Sequence, residues 1–236
     1  MIALTIAALL AASPPVETLL PGTYANEQQA GSNKAVPWTS ARTTANGAGF
    51  TFQSVDAFGA SIGPPVQWQV TQTAERVTIR AGRCRRDFAR VPAGLTIINQ
   101  SRACVDTAGP TTFVAQGMAM TLADGTPIEM QRGRFFTCRA AIARDDGMLW
   151  SGTALRLHDA GGRVLVSTEE KPRRQFTLRL HNDAYPLGTG KPGLGLYVYA
   201  DDSRQAIASG TAAPGASHVA IQSPAINVQC TLAAQP

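Results

Sequence analysis

The sequence has few of the residues on which metal sites, nucleic-acid binding and membrane-spanning helices depend. Its three histidines, His158, His181 and His218, lack H-x-H and H-E-x-x-H spacing, so we expect no metal and no cofactor. Aromatic residues make up 6% of the chain, and its arginine-rich stretch lacks interleaved aromatics, so we expect no nucleic-acid partner. After the first dozen residues, no apolar run is long enough to cross a bilayer as a helix.

The first residues are typical of a secretory signal peptide. Met1 is followed by an apolar run from Ile2 to Ala12 and then by Ser13-Pro14-Pro15. The run is too short to span a bilayer, and it ends in small residues and a helix-breaking proline pair. We therefore predict that residues 1–16 are removed on export. The mature chain, 17–236, is expected in the periplasm or outside the cell, without a transmembrane segment.

Four cysteines fit an oxidising compartment. Cys84 and Cys104 flank a predicted hairpin that turns at Pro92-Ala93-Gly94, so they are expected to form one disulfide. Cys138 and Cys230 then pair by elimination and tie the last strand to a central one. Four cysteines allow three pairings, and the sequence does not exclude the other two. No two cysteines stand at C-x-x-C spacing, which disfavours a zinc site or a thioredoxin-like redox pair.

Alternation of apolar and polar residues dominates the mature chain. Short alternating runs, among them 66–70, 76–81, 113–122, 163–167 and 176–180, are bounded by Gly, Pro, Asn or Asp. No mature segment has a convincing helical period; the candidate over 17–30 is broken by Pro21-Gly22. We predict an all-β fold, either an antiparallel barrel or a sandwich, stabilised by disulfides. Two organisations are open to it: one all-β unit over 17–236, or two packed β units with a boundary near 130–134.

Arginine supplies most of the positive charge. The net charge is +5, from 21 basic and 16 acidic residues, and only three of the basic residues are lysines. Seven arginines stand between Arg76 and Arg102, where Asp87 is the only acidic residue. Such a patch suits anionic lipid headgroups or anionic glycans. The alternative is that these arginines simply lie on solvated strand faces, and the scarcity of lysine favours that interpretation.

Two stretches resemble proteins of the CpcT/CpeT type, the bilin-attaching chromophore lyases and their exported bacterial relatives. The first is Leu19-Leu20-Pro21-Gly22-Thr23-Tyr24-Ala25-Asn26-Glu27-Gln28-Gln29-Ala30. The second comprises Gly82-Arg83-Cys84, Cys104, Thr111-Thr112-Phe113 and Met120 to Gly125. The resemblance covers about the first half of the chain. It implies a calyx-like antiparallel barrel, and it supplies no functional residue.

A short sequence repeat marks a candidate binding strip. Leu155-Arg156-Leu157-His158 recurs as Leu178-Arg179-Leu180-His181. In a strand, Arg and His two residues apart share one face, and the leucines take the other. With one strand between the two segments, Arg156, His158, Arg179 and His181 would form a cationic strip on one sheet. Guanidinium groups there would hold an extended anionic ligand; the favoured alternative is a solvated face over a leucine core.

Catalytic motifs are weak. Gly59-Ala60-Ser61-Ile62-Gly63 matches G-x-S-x-G, but Pro64-Pro65 forbids the helix that a nucleophile elbow requires. We therefore expect an exported, non-catalytic binding protein for a small amphiphile or an anionic envelope glycan or lipid. The alternatives are a hydrolytic or chromophore-handling enzyme and a structural component of the envelope.

Overall fold

The computed structural model describes residues 14–26, 29–30, 33, 35–47, 49–144, 147–168, 174–183, 193–200 and 203–233. Residues 1–13 of the predicted signal peptide lie outside this part of the chain. The described chain is almost entirely antiparallel β, as predicted, with a one-turn helix α1 (Val16–Leu19) before the first strand. None of its described helices is both long and apolar enough to pass through a bilayer.

Ten strands close into a barrel, in the order β1-β10-β9-β8-β7-β6-β5-β4-β3-β2. In chain order they are β1 (Gly22–Ala25), β2 (Ser40–Ala45), β3 (Gly49–Ser54), β4 (Val66–Gln72), β5 (Arg76–Ala81), β6 (Cys84–Val91), β7 (Gly94–Gln100), β8 (Gly109–Val114), β9 (Gly117–Thr121) and β10 (Pro127–Arg132). Closure removes the free edges that an open sheet would present. The barrel that was predicted from alternation is therefore confirmed.

The sequence locates the turn of one barrel hairpin correctly and misses another. Strands β6 and β7 meet at Pro92-Ala93, where the sequence predicts a turn. The run 113–122 is not one strand, however: β8 and β9 form a hairpin that turns at Ala115-Gln116. The prediction was wrong there because apolar alternation continues through a turn that contains no Gly, Pro, Asn or Asp.

Aromatic side chains fill part of the barrel core. Phe52 and Trp68 stack with ring centroids 4.9 Å apart, and Trp68 meets Phe113 edge-on at 6.2 Å. Phe113 in turn lies 5.7 Å from Phe88, and both phenylalanines are fully buried. Aromatic pairs at such separations add to the free energy gained by burial.

The remaining strands form two four-stranded sheets. One has the order β12-β11-β18-β17 and the other β13-β14-β15-β16. They comprise β11 (Phe135–Arg144), β12 (Gly147–His158), β13 (Ala160–Ser167), β14 (Gln175–Asp183), β15 (Gly193–Ala200), β16 (Ala206–Ala212), β17 (His218–Gln222) and β18 (Ile226–Leu232). A common apolar core joins them, with Phe136 and Val228 from one sheet and Leu178 and Leu196 from the other.

Both predicted disulfides are present. Cys84–Cys104 joins the start of β6 to a 3₁₀ turn (Arg102–Cys104), and Cys138–Cys230 joins β11 to β18. The Cα atoms of the second bridge are 4.0 Å apart, because Cys138 and Cys230 are direct partners in the antiparallel ladder. The other two pairings that the sequence allows are thereby excluded.

The chain divides into two compact units. The first comprises residues 1–21, 43–52 and 65–129, and the second comprises 22–42, 53–64 and 130–236. Strands β4 to β9 lie wholly in the first unit, and the two four-stranded sheets lie in the second. The boundary near 130–134 stays a prediction, since two of the three segments of the second unit precede it.

Candidate functional site

A cleft opens in the first unit where two neighbouring strands separate. Strands β7 and β8 pair from Gly94 to Thr96, and among the described pairs none joins residues 97–100 to β8. The far half of β8 instead pairs with β9, through Gly109 and Pro110. The cavity between the separated strands has a volume of about 610 Å³. This is within the range of small-molecule sites, roughly 300–1,000 Å³.

The floor of the cleft carries a buried arginine. Arg86 is 6% exposed, on the same face of β6 as Cys84 and the fully buried Phe88. Its Nη1 donates to Cys84 Sγ at 3.1 Å, and its Nη2 donates to the Thr107 carbonyl at 2.7 Å. Burial lowers the pKa of this guanidinium, which still carries its charge at neutral pH.

No described carboxylate balances that charge within salt-bridge distance. The two ion pairs found in the described chain join Arg85 to Asp87 and Arg134 to Asp159. The partners of Arg86, a sulfur and a carbonyl oxygen, are neutral. A buried charge without a counter-ion is costly, so the floor of the cleft is electrostatically suited to an anion.

Glycine and a disulfide shape the space around Arg86. A Cβ at position 109 would overlap the Arg86 guanidinium, so only glycine lets the side chain lie against β8. The Cys84–Cys104 bridge anchors the segment that carries Thr107. That segment is also held by the Ser101 amide, which donates to the Arg85 carbonyl at 2.9 Å.

The mouth of the cleft combines apolar and acidic residues. Ile98 and Val105 line it and are 51% and 58% exposed. Asp106 and Asp124 also line it. The Asp124 carboxylate accepts a hydrogen bond from the Thr126 amide at 2.9 Å, within its own turn. Hydrogen bonds from Thr126 hold the pKa of the Asp124 carboxyl below its usual range. The cleft thus runs from an acidic and apolar rim to a cationic floor.

The cationic strip predicted from the Leu-Arg-Leu-His repeat does not form on one sheet. Arg156 and His158 end β12, whereas Arg179 and His181 lie in β14 of the other sheet. The intervening strand β13 pairs with β14 but belongs to a different sheet from β12. The shared-sheet prediction is therefore wrong, because the chain crosses between sheets at Asp159 and does not turn there as a hairpin. That these four residues bind a ligand stays a prediction.

The first pair packs around an aromatic ring. The Arg156 guanidinium lies 4.5 Å from the centroid of the Phe135 ring, and the His158 ring lies 5.9 Å from it. His158 Nδ1 is buried and has no hydrogen-bond partner in the described chain. Burial lowers the pKa of His158 to about 4, although the neighbouring Asp159 carboxylate acts in the opposite direction. At neutral pH His158 is therefore uncharged.

The second pair, Arg179 and His181, has a cationic neighbour, Arg163, that lies outside the repeated sequence. Arg179 is the direct partner of Arg163 on β13 and of Tyr197 on β15, and these positions share the face opposite the leucines. His181 is 8% exposed on that same face, beside Gly195. The predicted placement of the leucines and of Arg and His on opposite faces is correct for β14, since Leu178 and Leu180 are fully buried in the apolar core. The face of Arg179 and His181 is not a solvated one, however, because His181 is itself buried.

Ser61 of the G-x-S-x-G motif lies in a loop. It forms an isolated antiparallel bridge with Val55, and the Ile62 amide donates to the Ser54 carbonyl at 2.8 Å. The residues that follow it, 62–65, form no helix. The strand-to-helix elbow that such a nucleophile requires is therefore absent at this motif.

Sequence reasoning placed Arg86 among solvent-facing arginines and so missed that it is buried beside a cavity. The signal was present in Cys84-Arg85-Arg86-Asp87-Phe88, where alternation puts Arg86 on the face of Cys84 and Phe88. A charged residue in phase with two apolar neighbours is a candidate for burial. The separation of β7 from β8, which gives that residue a cavity to face, has no signal in the sequence.

Comparisons of the chain with models of protein families, with curated proteins and with solved structures give no match, so the chemistry of the cleft is judged from its own residues.

Proposed function

We propose that this protein is an exported, non-catalytic binding protein that holds a small anionic amphiphile in the β7–β8 cleft. The observation that carries the proposal is Arg86, a buried guanidinium facing a cavity with no described carboxylate to pair with it. A carboxylate or phosphate at the cleft floor would supply the missing charge through hydrogen bonds to the guanidinium.

The rest of the cleft suits an apolar tail. Ile97 lines the wall, and Ile98 and Val105 at the mouth remain about half exposed. Exposed aliphatic side chains around a concave site gain free energy when a hydrocarbon chain covers them. A ligand with an anionic head at Arg86 and an apolar tail toward the mouth uses both features.

Export is supported by the cysteines. All four are paired in disulfides, which persist in oxidising compartments. Membership of the CpcT/CpeT-type proteins is also part of the proposal. A bilin, which carries propionate groups on a hydrophobic framework, is one amphiphile of the proposed class.

The proposal is tested by calorimetric titration with decanoate, and with decanol as its uncharged counterpart. Decanoate is expected to bind more tightly than decanol. Arg86→Gln should weaken decanoate binding roughly 10- to 100-fold, as for loss of a hydrogen bond to a charged group. Arg76→Gln is the matched control, because it removes one exposed arginine from the same unit.

A second variant leaves Arg86 in place. Ala123 is exposed and lines the cleft, so Ala123→Trp is expected to fill the cavity and reduce the affinity for both probes. Native protein that binds decanol as tightly as decanoate would overturn the role of the charge. Decanoate affinity that survives both Arg86→Gln and Ala123→Trp would overturn the site.

A further inference from the structure

A group of exposed arginines stands beside the cleft. Arg80 and Arg85 are direct cross-strand partners on the outer face of β5 and β6, and Arg83 lies in the turn that joins them. Arg102, in the 3₁₀ turn, follows Ser101, whose amide donates to the Arg85 carbonyl. We call these four residues, Arg80, Arg83, Arg85 and Arg102, the cationic flank; all four are exposed.

The cationic flank has little charge compensation of its own. Like charges directly opposite each other across a strand pair destabilise a sheet. Asp87 pairs with Arg85 at 2.8 Å and also accepts from Thr78 and Asn99, so its capacity is largely used within the sheet. The other nearby carboxylates, Asp106 and Asp124, lie at the cleft mouth. The flank therefore presents fixed positive charge to an outside partner.

Apolar side chains adjoin this charge. Ile98 lies on β7, the strand next to β6, and is left out of the β6–β7 register, in which Asp87 pairs with Asn99 and Phe88 pairs with Ile97. Val105 follows the 3₁₀ turn that carries Arg102. Both side chains are more than half exposed. Arginines beside protruding aliphatic residues suit an interface that offers anions and hydrocarbon together.

We infer that the β5–β6 end of the first unit docks on the surface of an anionic lipid bilayer, with Ile98 and Val105 entering the headgroup region. Phosphate groups would meet the cationic flank, and charge complementarity together with the two exposed aliphatic side chains favours this occupant. A nucleic acid or an anionic glycan uses the charge but leaves the two aliphatic side chains in water. Docking would bring the cleft mouth to the source of its amphiphile, and this last step alone depends on the proposed function.

The test is co-sedimentation of the full, oxidised chain with vesicles. One set is phosphatidylcholine, and the other is an equimolar mixture of phosphatidylcholine and phosphatidylglycerol. The native protein should bind the mixed vesicles more tightly, and added salt should weaken that binding. The apolar residues at the start of the chain are common to all variants and carry no selectivity for charge.

Two triple variants separate local from overall charge. The flank variant carries Arg80→Gln, Arg83→Gln and Arg102→Gln. The matched control loses the same charge elsewhere, through Arg76→Gln, Arg174→Gln and Arg204→Gln, all at exposed positions. At roughly five-fold per basic residue, the flank variant should lose about 100-fold in affinity for the mixed vesicles, and the control should lose much less. Equal losses in the two variants would overturn the inference.

The apolar contribution and the polyanion alternative have their own measurements. Ile98→Ser with Val105→Ser should weaken vesicle binding while leaving retention on heparin unchanged. If the native protein is retained on heparin and does not sediment with mixed vesicles, the partner is a soluble polyanion and the lipid inference fails. Arg86→Gln should bind vesicles like the native protein, so failure of the decanoate experiment and failure of docking are distinguishable.

Discussion

Arg134 donates a hydrogen bond to each oxygen of the Asp159 carboxylate. Its backbone amide donates to Oδ1 and its Nε donates to Oδ2, both at 2.7 Å. Its Nη1 also donates to the carbonyls of Gly215 and Ala216, at 3.0 and 3.3 Å. Asp159 lies where the chain passes from β12 to β13, and Gly215 lies where it passes from β16 to β17. Arg134 therefore connects the two places at which the chain crosses between the four-stranded sheets.

Asp159→Asn should destabilise the second unit by about 2–3 kcal/mol. The Asp159 side chain is 3% exposed, and removing one member of a buried ion pair leaves the other charge uncompensated. Arg134 is partly exposed, at 29%, which limits the loss. Urea unfolding followed by circular dichroism measures the change. Asp124→Asn, at an exposed turn, serves as the control and should alter stability much less. Equal stability of Asp159→Asn and native protein would refute the role of the pair.

The stability of the second unit should fall as the pH is lowered from about 6.5 to 4. Burial lowers the pKa of His158 from 6.5 to about 4, so within this window the unfolded chain binds a proton that the native state does not. The contribution of uncharged His158 to the free energy of unfolding is complete above pH 6.5 and is lost progressively as the pH falls toward 4. Its size is up to about 3 kcal/mol, at 1.36 kcal/mol for each pKa unit.

A difference measurement isolates His158 from the carboxylates that titrate nearby. His158→Gln should flatten the difference in unfolding free energy between pH 7 and pH 4.5, whereas His218→Gln, at an exposed position, should leave the native pH dependence intact. If native protein and His158→Gln lose stability in parallel over this range, the histidine has no part in it.

Breaking the Cys84–Cys104 bridge should cost both stability and affinity. The bridge closes a loop with a sequence separation of 20, for which the chain-entropy estimate is about 3 kcal/mol. It also anchors the segment whose Thr107 carbonyl accepts from Arg86, so the double variant Cys84→Ala, Cys104→Ala should bind decanoate more weakly. The double variant Cys138→Ala, Cys230→Ala should lose stability but retain decanoate affinity, because its bridge lies in the other unit.

Alternation fixes which face of a strand is buried, and this is why much of the fold is readable from the sequence. It placed Leu178 and Leu180 in the core and Arg179 and His181 on the opposite face. It does not fix which sheet a strand joins. The crossing at Asp159 depends on a contact with Arg134, 25 residues earlier in the chain, and no local pattern signals that contact. For the same reason Arg86 was readable as a buried position, and the cleft in front of it was not.

Gly109→Ala should reduce ligand affinity while the barrel remains folded. A Cβ at this position would overlap the Arg86 guanidinium, whose far end is flexible and therefore shifts before the backbone does. The shift breaks the hydrogen bonds to Cys84 Sγ and the Thr107 carbonyl and moves the charge away from the cleft floor. The expected loss in decanoate affinity is roughly ten-fold, as for one charge-assisted hydrogen bond. The affinity of the Gly109→Ala variant for decanol should change less than its affinity for decanoate.

The control for Gly109→Ala is Gly125→Ala, at the β9–β10 turn. Gly125 also lines the cleft, but a Cβ there meets no atom within 4 Å, and its φ of +85° makes the substitution strained in the backbone alone. Gly125→Ala should therefore lower thermal stability without separating decanoate from decanol, whereas Gly109→Ala should narrow the difference between the two probes. The opposite result is that Gly125→Ala loses the preference for decanoate over decanol and Gly109→Ala keeps it. That result would show that the position of Arg86 does not determine which head group the cleft accepts.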